Sequence, residues 1–326
     1  MNTDLKLKRF FYYLRHTGIH AIPRPSNRHL HQALLHYAEH PPFRERLNYY
    51  IRIPAPFSPG NEATPFTLNL SKGQSTYQLD LREAARHFAP ELRIARIFGD
   101  NISEPAHPAL VKSRSIASGT TRAILFRLNH IRHFHFVRDP IPFHAKRNQL
   151  VWRGNGFQPH RRAFLQQFHA HPLCDIGHHH KHPQGDIPWT RPPLSIREQL
   201  RCKFILALEG NDVATNLKWA LSSNSLCFMP PPRYETWFME GALQPGIHYV
   251  ELAPDAHDLE AKLHDYLEHP EKALPIIRAA NEWTRRFRNP ETERQLAIAV
   301  LAAYFQLSGQ ADFGMPLPIP LETTEK

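Results

Sequence analysis

The residues of this chain best placed to do chemistry lie between positions 203 and 249. The apolar run at 204–208, FILAL, shows no alternation, as a strand covered on both faces requires. Glu209, Gly210, Asn211 and Asp212 then supply turn and capping chemistry, and Val213, Leu217, Ala220 and Leu221 recur at helical spacing. A second buried-type strand over 225–229 is stopped by Pro230, Pro231 and Pro232. Such a strand–loop–helix–strand unit sets the loop and the helix start at the carboxyl edge of a parallel sheet. Backbone N–H groups and the helix dipole favour an anion there. On that reading Gly210, Asn211, Asp212, Val213, Ala214, Thr215 and Asn216 surround a phosphate or diphosphate, and Lys218 adds positive charge. The same unit also serves in α/β proteins that bind nothing at this edge. Asp212 is then only an N-cap, and its carboxylate would repel a phosphate on the cap.

Three further groups carry chemistry-bearing side chains. LRIARIF at 92–98 reads as a strand that delivers Gly99 and Asp100 to a loop, where open α/β sheets place reactive carboxylates; Asp100 can equally cap a turn. Lys112, Arg114 and Arg122 follow in VKSRSIASGTTR, either as donors for phosphate or carboxylate groups on an acceptor or as a solvated basic loop. The strand at 150–152 runs into Arg153, Gly154, Asn155 and Gly156, whose glycines permit close backbone approach to a ligand; by composition alone this is a plain turn. Finally, HAHPLCDIGHHHKH gathers His169, His171, His178, His179, His180 and His182 around Cys174 and Asp175. It lacks HExxH or paired-cysteine spacing, so the expectation is a loop around a short strand at 173–176, without a metal.

The elements that must position these groups follow from the pattern. Residues 4–16 set Leu5, Leu7, Phe10, Phe11 and Leu14 among Lys6, Lys8, Arg9 and Arg15, a basic amphipathic helix with two fates: packing on the body of the protein or lying on anionic lipid. Helices are predicted at 28–38, 80–87, 123–133, 161–168, 258–267 and 275–288. Asn289 and Pro290 cap and open a long helix reaching about residue 306. Strands are predicted at 66–70, 133–137 and 248–252, a loop-to-helix segment around Glu235, Trp237 and Glu240, and a loose tail from Gly309.

At 326 residues the chain is long enough for two domains. Forty Lys and Arg against thirty Asp and Glu leave a formal charge of +10, so an anionic partner is expected: nucleic acid, a phosphorylated glycan or an acidic membrane surface. The charge is spread out rather than blocked, which weakens the nucleic-acid reading. Three cysteines without a paired motif predict reduced thiols. The charged start predicts no secretory signal, and no apolar run reaches the length of a membrane span. The expected location is cytoplasmic, with peripheral contact to an anionic inner membrane as the second fate of the amphipathic start.

EGNDVATNLKW, SSNSL, YETWFMEG and LQPGIHYV, preceded by VWRG, FGD and KSR, occur in this chain in an order and spacing that resemble lipopolysaccharide core glycosyltransferases of the LpsA type. These are family-ninety relatives of capsule-associated and Rumi-type protein O-glucosyltransferases. The resemblance spans roughly residues 90 to 255. It implies an α/β fold of two Rossmann-like lobes facing a cleft, the GT-B type: 1–146 for the acceptor, 147–290 for the nucleotide-sugar, a crossover helix at 291–308 and a tail at 309–326. It implies inverting transfer of a hexose from a UDP-hexose to a heptose of the lipopolysaccharide inner core, with Asp100 as base. Arg153, Gly154 and the 210–218 loop and helix would hold the donor diphosphate, Glu235 or Glu240 the ribose, and Lys112 and Arg114 the acceptor. The sugar nucleotide is a co-substrate, and no other cofactor and no metal is implied; the sequence has no DxD triplet. Two departures stand out: Arg153-Gly154 is not followed by the Ser-Arg-Thr-Ser run of Rumi-type enzymes, and Asn216 stands where those carry Arg. The competing classes, a nucleic-acid-binding protein and a His-rich metal-dependent hydrolase, leave this ordered set of motifs unexplained.

Overall fold

The computed structural model describes residues 28–68, 74–116, 121–179 and 187–316, and, near the start, Leu7, residues 10–14 and His16. His180, His182, the far end of the predicted tail and Leu5, Lys6, Lys8, Arg9 and Arg15 of the amphipathic start lie outside the described residues. In chain order the strands are β1 (Thr64–Pro65), β2 (Arg93–Ile94), β3 (Arg96–Ile97), β4 (Ala109–Val111), β5 (Ser113–Ser115) and β6 (Ala123–Leu125). They continue with β7 (Arg147–Gly154), β8 (Cys174–His178), β9 (Cys202–Leu206), β10 (Leu226–Met229), β11 (Tyr234–Thr236) and β12 (Val250–Glu251). The chain divides into two compact units. One is drawn from His133–Pro232 and Ala242–Arg288, the other from Asp4–Arg132, Arg233–Gly241 and Asn289–Lys326.

The first unit is a five-stranded, wholly parallel sheet in the order β8-β7-β9-β10-β12. Its strands read as continuous apolar runs because both faces are covered. Leu150 and Trp152, Ile176, Phe204 and Leu206, and Phe228 join Phe164 and Leu165 of the helix Pro159–Phe168, and Leu259, Leu263, Ile276 and Ile277 of two later helices, in one core. The helix after β9 is shorter than its apolar spacing predicts. It spans Leu217–Leu221, with Asn216 rather than Asp212 at its N-cap, and the predicted first turn is an irregular loop.

The second unit is built around the helix Pro290–Leu307, thirteen of whose eighteen residues are buried. Asn289 caps it, its side chain accepting from Glu291 N at 3.0 Å and Thr292 N at 3.3 Å, with Pro290 at the first helical position as the sequence predicts. Around it pack the helices Arg28–Glu39, Pro41–Tyr50 and Ser75–Ala85. This unit also carries a three-stranded parallel sheet, β3-β4-β6, and two antiparallel pairs, β1 with β2 and β5 with β11.

Several predicted elements change here. The segment 123–133, expected to be helical, is strand β6 followed by a four-residue helix, His130–His133. The single strand expected at 92–98 is broken at Ala95, whose N–H leaves the ladder for Tyr304 Oη at 3.0 Å. Of the strand expected at 66–70, residues 66–68 are not a strand and 69–70 lie outside the described residues, with β1 just before them; the segment 133–137 is not a strand, and the segment around Glu235 is the strand β11. Among the described residues no helix is long and apolar enough to cross a membrane.

Candidate active site

Counted along the chain, the sheet of the first unit runs 2-1-3-4-5, so its connections turn opposite ways from β7 and β9. In open α/β sheets the carboxyl ends of the strands at such a reversal are where ligands bind. Gly154, Asn155 and Gly156 leave β7 at that point, and Leu208, Glu209, Gly210 and Asn211 leave the end of β9. One side chain joins the two loops. Arg161 donates from Nη1 to Asn155 O (3.0 Å), from Nη2 to Leu208 O (2.7 Å) and from Nε to Glu209 O (2.7 Å), and it lies over the Trp152 ring at 5.4 Å. Burial pulls its pKa down to about 10 against the opposing charge of Glu209, and the guanidinium stays cationic. His160 Nε2 reaches Glu209 O at 2.8 Å, Gln158 Nε2 donates to Asn211 Oδ1 at 3.1 Å, and Gly156 N donates to His178 Nδ1 at 2.9 Å.

The glycines serve this packing. A Cβ on Gly154 would come within 2.4 Å of the Trp152 ring, and one on Gly156 within 2.6 Å of Leu165, so both are required by the protein's own core. The predicted anion ligands divide. Gly210, Asn211, Thr215 and Asn216 keep exposed surface, with Asn216 Nδ2 donating to Leu206 O at 2.8 Å. Asp212, Val213 and Ala214 are buried, and Lys218 is wholly buried with its ammonium 5.8 Å from the Phe134 ring. Lys218 therefore offers no charge to an anion at the surface loop. Arg153, expected to meet a diphosphate, donates instead to Pro192 O (2.9 Å), Trp152 O (3.0 Å), Asp175 O (2.7 Å) and Asp175 Oδ1 (2.6 Å), bracing β7 against β8.

In the second unit, β3 and β4 run parallel and bring Asp100 and Lys112 to the same sheet edge. The Lys112 ammonium is bonded to Asp100 Oδ1, and Tyr77 Oη lies 3.5 Å from the same oxygen. Burial works to raise the Asp100 pKa, but the bond and charge of Lys112, then Arg132 and Tyr77, outweigh it and hold the carboxyl below its ordinary range. Asp100 is thus an ionised, half-buried carboxylate, able to accept a proton. Lys112, expected at an acceptor, is buried as its partner. Beside it, Asn129 in the left-handed conformation (φ 55°) donates from Nδ2 to Tyr77 Oη at 3.3 Å. Asp80 accepts from His130 Nδ1 (2.6 Å), His130 N (2.9 Å) and Tyr12 Oη (2.7 Å).

Arg114 and Glu235, expected at acceptor and ribose, neutralise each other in the interior. Arg114 Nε donates to Glu235 Oε1 at 2.7 Å, its Nη atoms reach Tyr49 O, Tyr50 O and Ala123 O, and the Tyr49 hydroxyl holds the second Glu235 oxygen. Glu240 is buried as well and accepts from Thr236 N at 2.6 Å and Thr236 Oγ1 at 2.9 Å, closing the turn after β11. Pairing strand β11 with β5 is what carries these acids inward. Among the described residues no group of three or more His, Cys, Asp or Glu converges as a metal set. His169 bonds Leu165 O, His171 accepts from Leu173 N, and His178 serves the Gly156 loop. Arg161, Tyr77 and the Asp80–His130 pair went unmarked in the sequence. Arg161 alone had a signal there, a cation one turn into the helix that follows a GNG loop.

The family model for glycosyl transferase family 90 matches residues 130–308. This chain belongs to glycosyl transferase family 90. The O-glucosyltransferase LpsA of Dichelobacter nodosus is 45% identical to it over 262 residues, covering 80% of this chain and 82% of that protein. The family 90 chain is therefore a glycosyltransferase. Its parallel sheets are consistent with an α/β glycosyltransferase.

Proposed function

We propose that this family 90 enzyme moves a hexose from a UDP-hexose to a hydroxyl of a heptose in the lipopolysaccharide inner core, with inversion at the anomeric carbon. The named relative is an O-glucosyltransferase, which makes glucose the first sugar to test. The single observation that carries the donor half is the strand reversal between β7 and β9, with the 154–156 and 208–211 loops at its carboxyl edge. Exposed groups of Gly210, Asn211, Thr215 and Asn216 are the proposed contacts for the diphosphate, with Arg161 and Arg153 positioning the loops from behind. The two compact units take the parts of donor and acceptor lobes in a GT-B-type division of labour.

In the acceptor lobe Asp100 is the base. Its carboxylate takes the proton of the attacking hydroxyl, the oxygen bonds to the anomeric carbon, and the bond to the diphosphate breaks with its electron pair leaving on phosphate oxygen. Lys112 keeps the base ionised beforehand. Backbone donors of the 208–211 loop, with the charge of Arg161 behind them, then stabilise the departing charge, the role a divalent ion fills in other transferases. Mass spectrometry of truncated lipooligosaccharide incubated with a panel of nucleotide-sugars tests this reading: the expected result is a mass gain of one hexose with one UDP-hexose, undiminished by EDTA. Asp100→Asn is expected to lower kcat by a factor on the order of 10² to 10⁴. Full activity in that variant would remove Asp100 as base, and strict dependence on a divalent cation would remove the metal-free mechanism.

A further inference from the structure

The start of the chain inverts the usual logic of an amphipathic helix. Leu7, residues 10–14 and His16 are helical, and the apolar residues recur at 7, 10, 11 and 14, the spacing of a single stripe. In a helix that packs on its own protein that stripe goes inward. Here the opposite face does. Tyr12 and His16 are buried, Tyr12 Oη donates to Asp80 Oδ1 at 2.7 Å and to Thr76 O at 3.2 Å, and Tyr13 Oη meets Ser75 Oγ at 3.1 Å. The Tyr12 ring stands edge-on to His130 at 5.3 Å. The helix is thus fastened to the start of Ser75–Ala85 by its polar aromatic face. Leu7 is left 53% exposed, Phe10 61%, Phe11 56% and Leu14 56%. These are four of the eight large hydrophobic side chains exposed among the described residues, and they share one stripe about two turns long.

Water is a poor solvent for that stripe, and the sequence around it says what covers it. Lys6, Lys8, Arg9 and Arg15 interleave with the apolar positions, and no acidic residue occurs from 5 to 16. A stripe of Leu and Phe set among cations matches an interface of acyl chains topped by anionic headgroups. We infer that this helix seats the protein on an anionic lipid surface, with Leu7, Phe10, Phe11 and Leu14 at the acyl boundary and the net positive charge of the stretch favouring anionic headgroups. The Tyr12–Asp80 and Tyr13–Ser75 contacts fasten the helix to the second unit, so that unit is held at the surface with it. The inference stands independently of the sugar and acceptor proposed above.

The test uses the full chain and vesicles of phosphatidylcholine with and without phosphatidylglycerol. Cosedimentation is expected with phosphatidylglycerol present, weakened about tenfold or more without it or at high salt. Phe10→Glu with Phe11→Glu is expected to abolish it by a similar factor while transfer to a water-soluble, delipidated acceptor is unchanged. The triple change Lys6→Gln, Lys8→Gln and Arg9→Gln is expected to remove the dependence on phosphatidylglycerol. A wild-type chain that ignores phosphatidylglycerol vesicles overturns the inference. So does a dimer in sedimentation velocity that Phe10→Glu with Phe11→Glu dissolves, since the stripe then covers a second copy. Vesicle binding is read without any transfer reaction, so its failure and the failure of the glycosyltransfer reading are separate results.

Discussion

Asp100 and Lys112 show how a charged pair divides its labour. The lysine is buried and the carboxylate is half-open, so the exposed partner keeps a lone pair for a proton while the hidden one keeps it ionised. Lys112→Gln removes that support and leaves the burial that raises the carboxyl pKa, so the acid limb of the kcat/KM profile is expected to move to higher pH; an unmoved limb would show that another group titrates. The deeper pair, Arg114 with Glu235, has no open side. Glu235→Gln strands a buried guanidinium whose pKa burial already lowers, and urea denaturation is expected to show a loss of about 3–5 kcal/mol. Sequence reading assigned Lys112 and Arg114 to an acceptor and Glu235 or Glu240 to the ribose, because an isolated Arg, Lys or Glu carries no mark of its depth. What hides Arg114 is the set of carbonyls at Tyr49, Tyr50 and Ala123, from segments remote in the chain.

At the scale of elements, the sheet β8-β7-β9-β10-β12 was legible wherever a strand is covered on both faces. Runs such as FILAL have one reading once a turn and a short helix follow them. The same rule failed at AILF, 123–126, where an apolar run of four fits either a strand or one turn of helix, and pairing with β4 decided it. β5 and β11 were illegible for a different cause: SRS and YET are too short and polar to alternate, and they exist because they pair with each other. The helix Pro290–Leu307 was legible from its Asn-Pro start and its unbroken apolar length. The Arg161 clasp belongs to this scale as well, since it joins the loops after β7 and β9. Arg161→Met keeps the stem over Trp152 and removes the three donated bonds. The expected result is a KM for the nucleotide-sugar raised about tenfold or more with a smaller change in kcat, read by steady-state kinetics.

Taken whole, the chain does not spend its length one unit at a time. The unit containing Asp100 is completed by Arg233–Gly241, which lies between β10 and β12 in the chain, and by Asn289–Lys326, which follows the last strand of the five-stranded sheet. Trp237 stacks on Tyr50 at 3.9 Å and donates from Nε1 to Glu293 Oε2 at 2.6 Å, and Arg46 donates to both Glu293 oxygens. Ending the chain at Arg288 removes Glu293, which takes the carboxylate partner from Arg46 and the acceptor from the Trp237 indole. Loss of near-ultraviolet circular dichroism from the aromatic cluster is expected, with the Tyr49–Tyr50–Trp237 region no longer ordered.

The nine residues of Arg233–Gly241 carry a lesson for anyone recombining family members to alter acceptor choice. A hybrid made at one junction would inherit Arg114 from one parent and Glu235 from the other, and strands β5 and β11 that never evolved together. Exchange of this unit therefore calls for three segments moved in concert, and a library built on single crossovers is expected to return mostly insoluble protein.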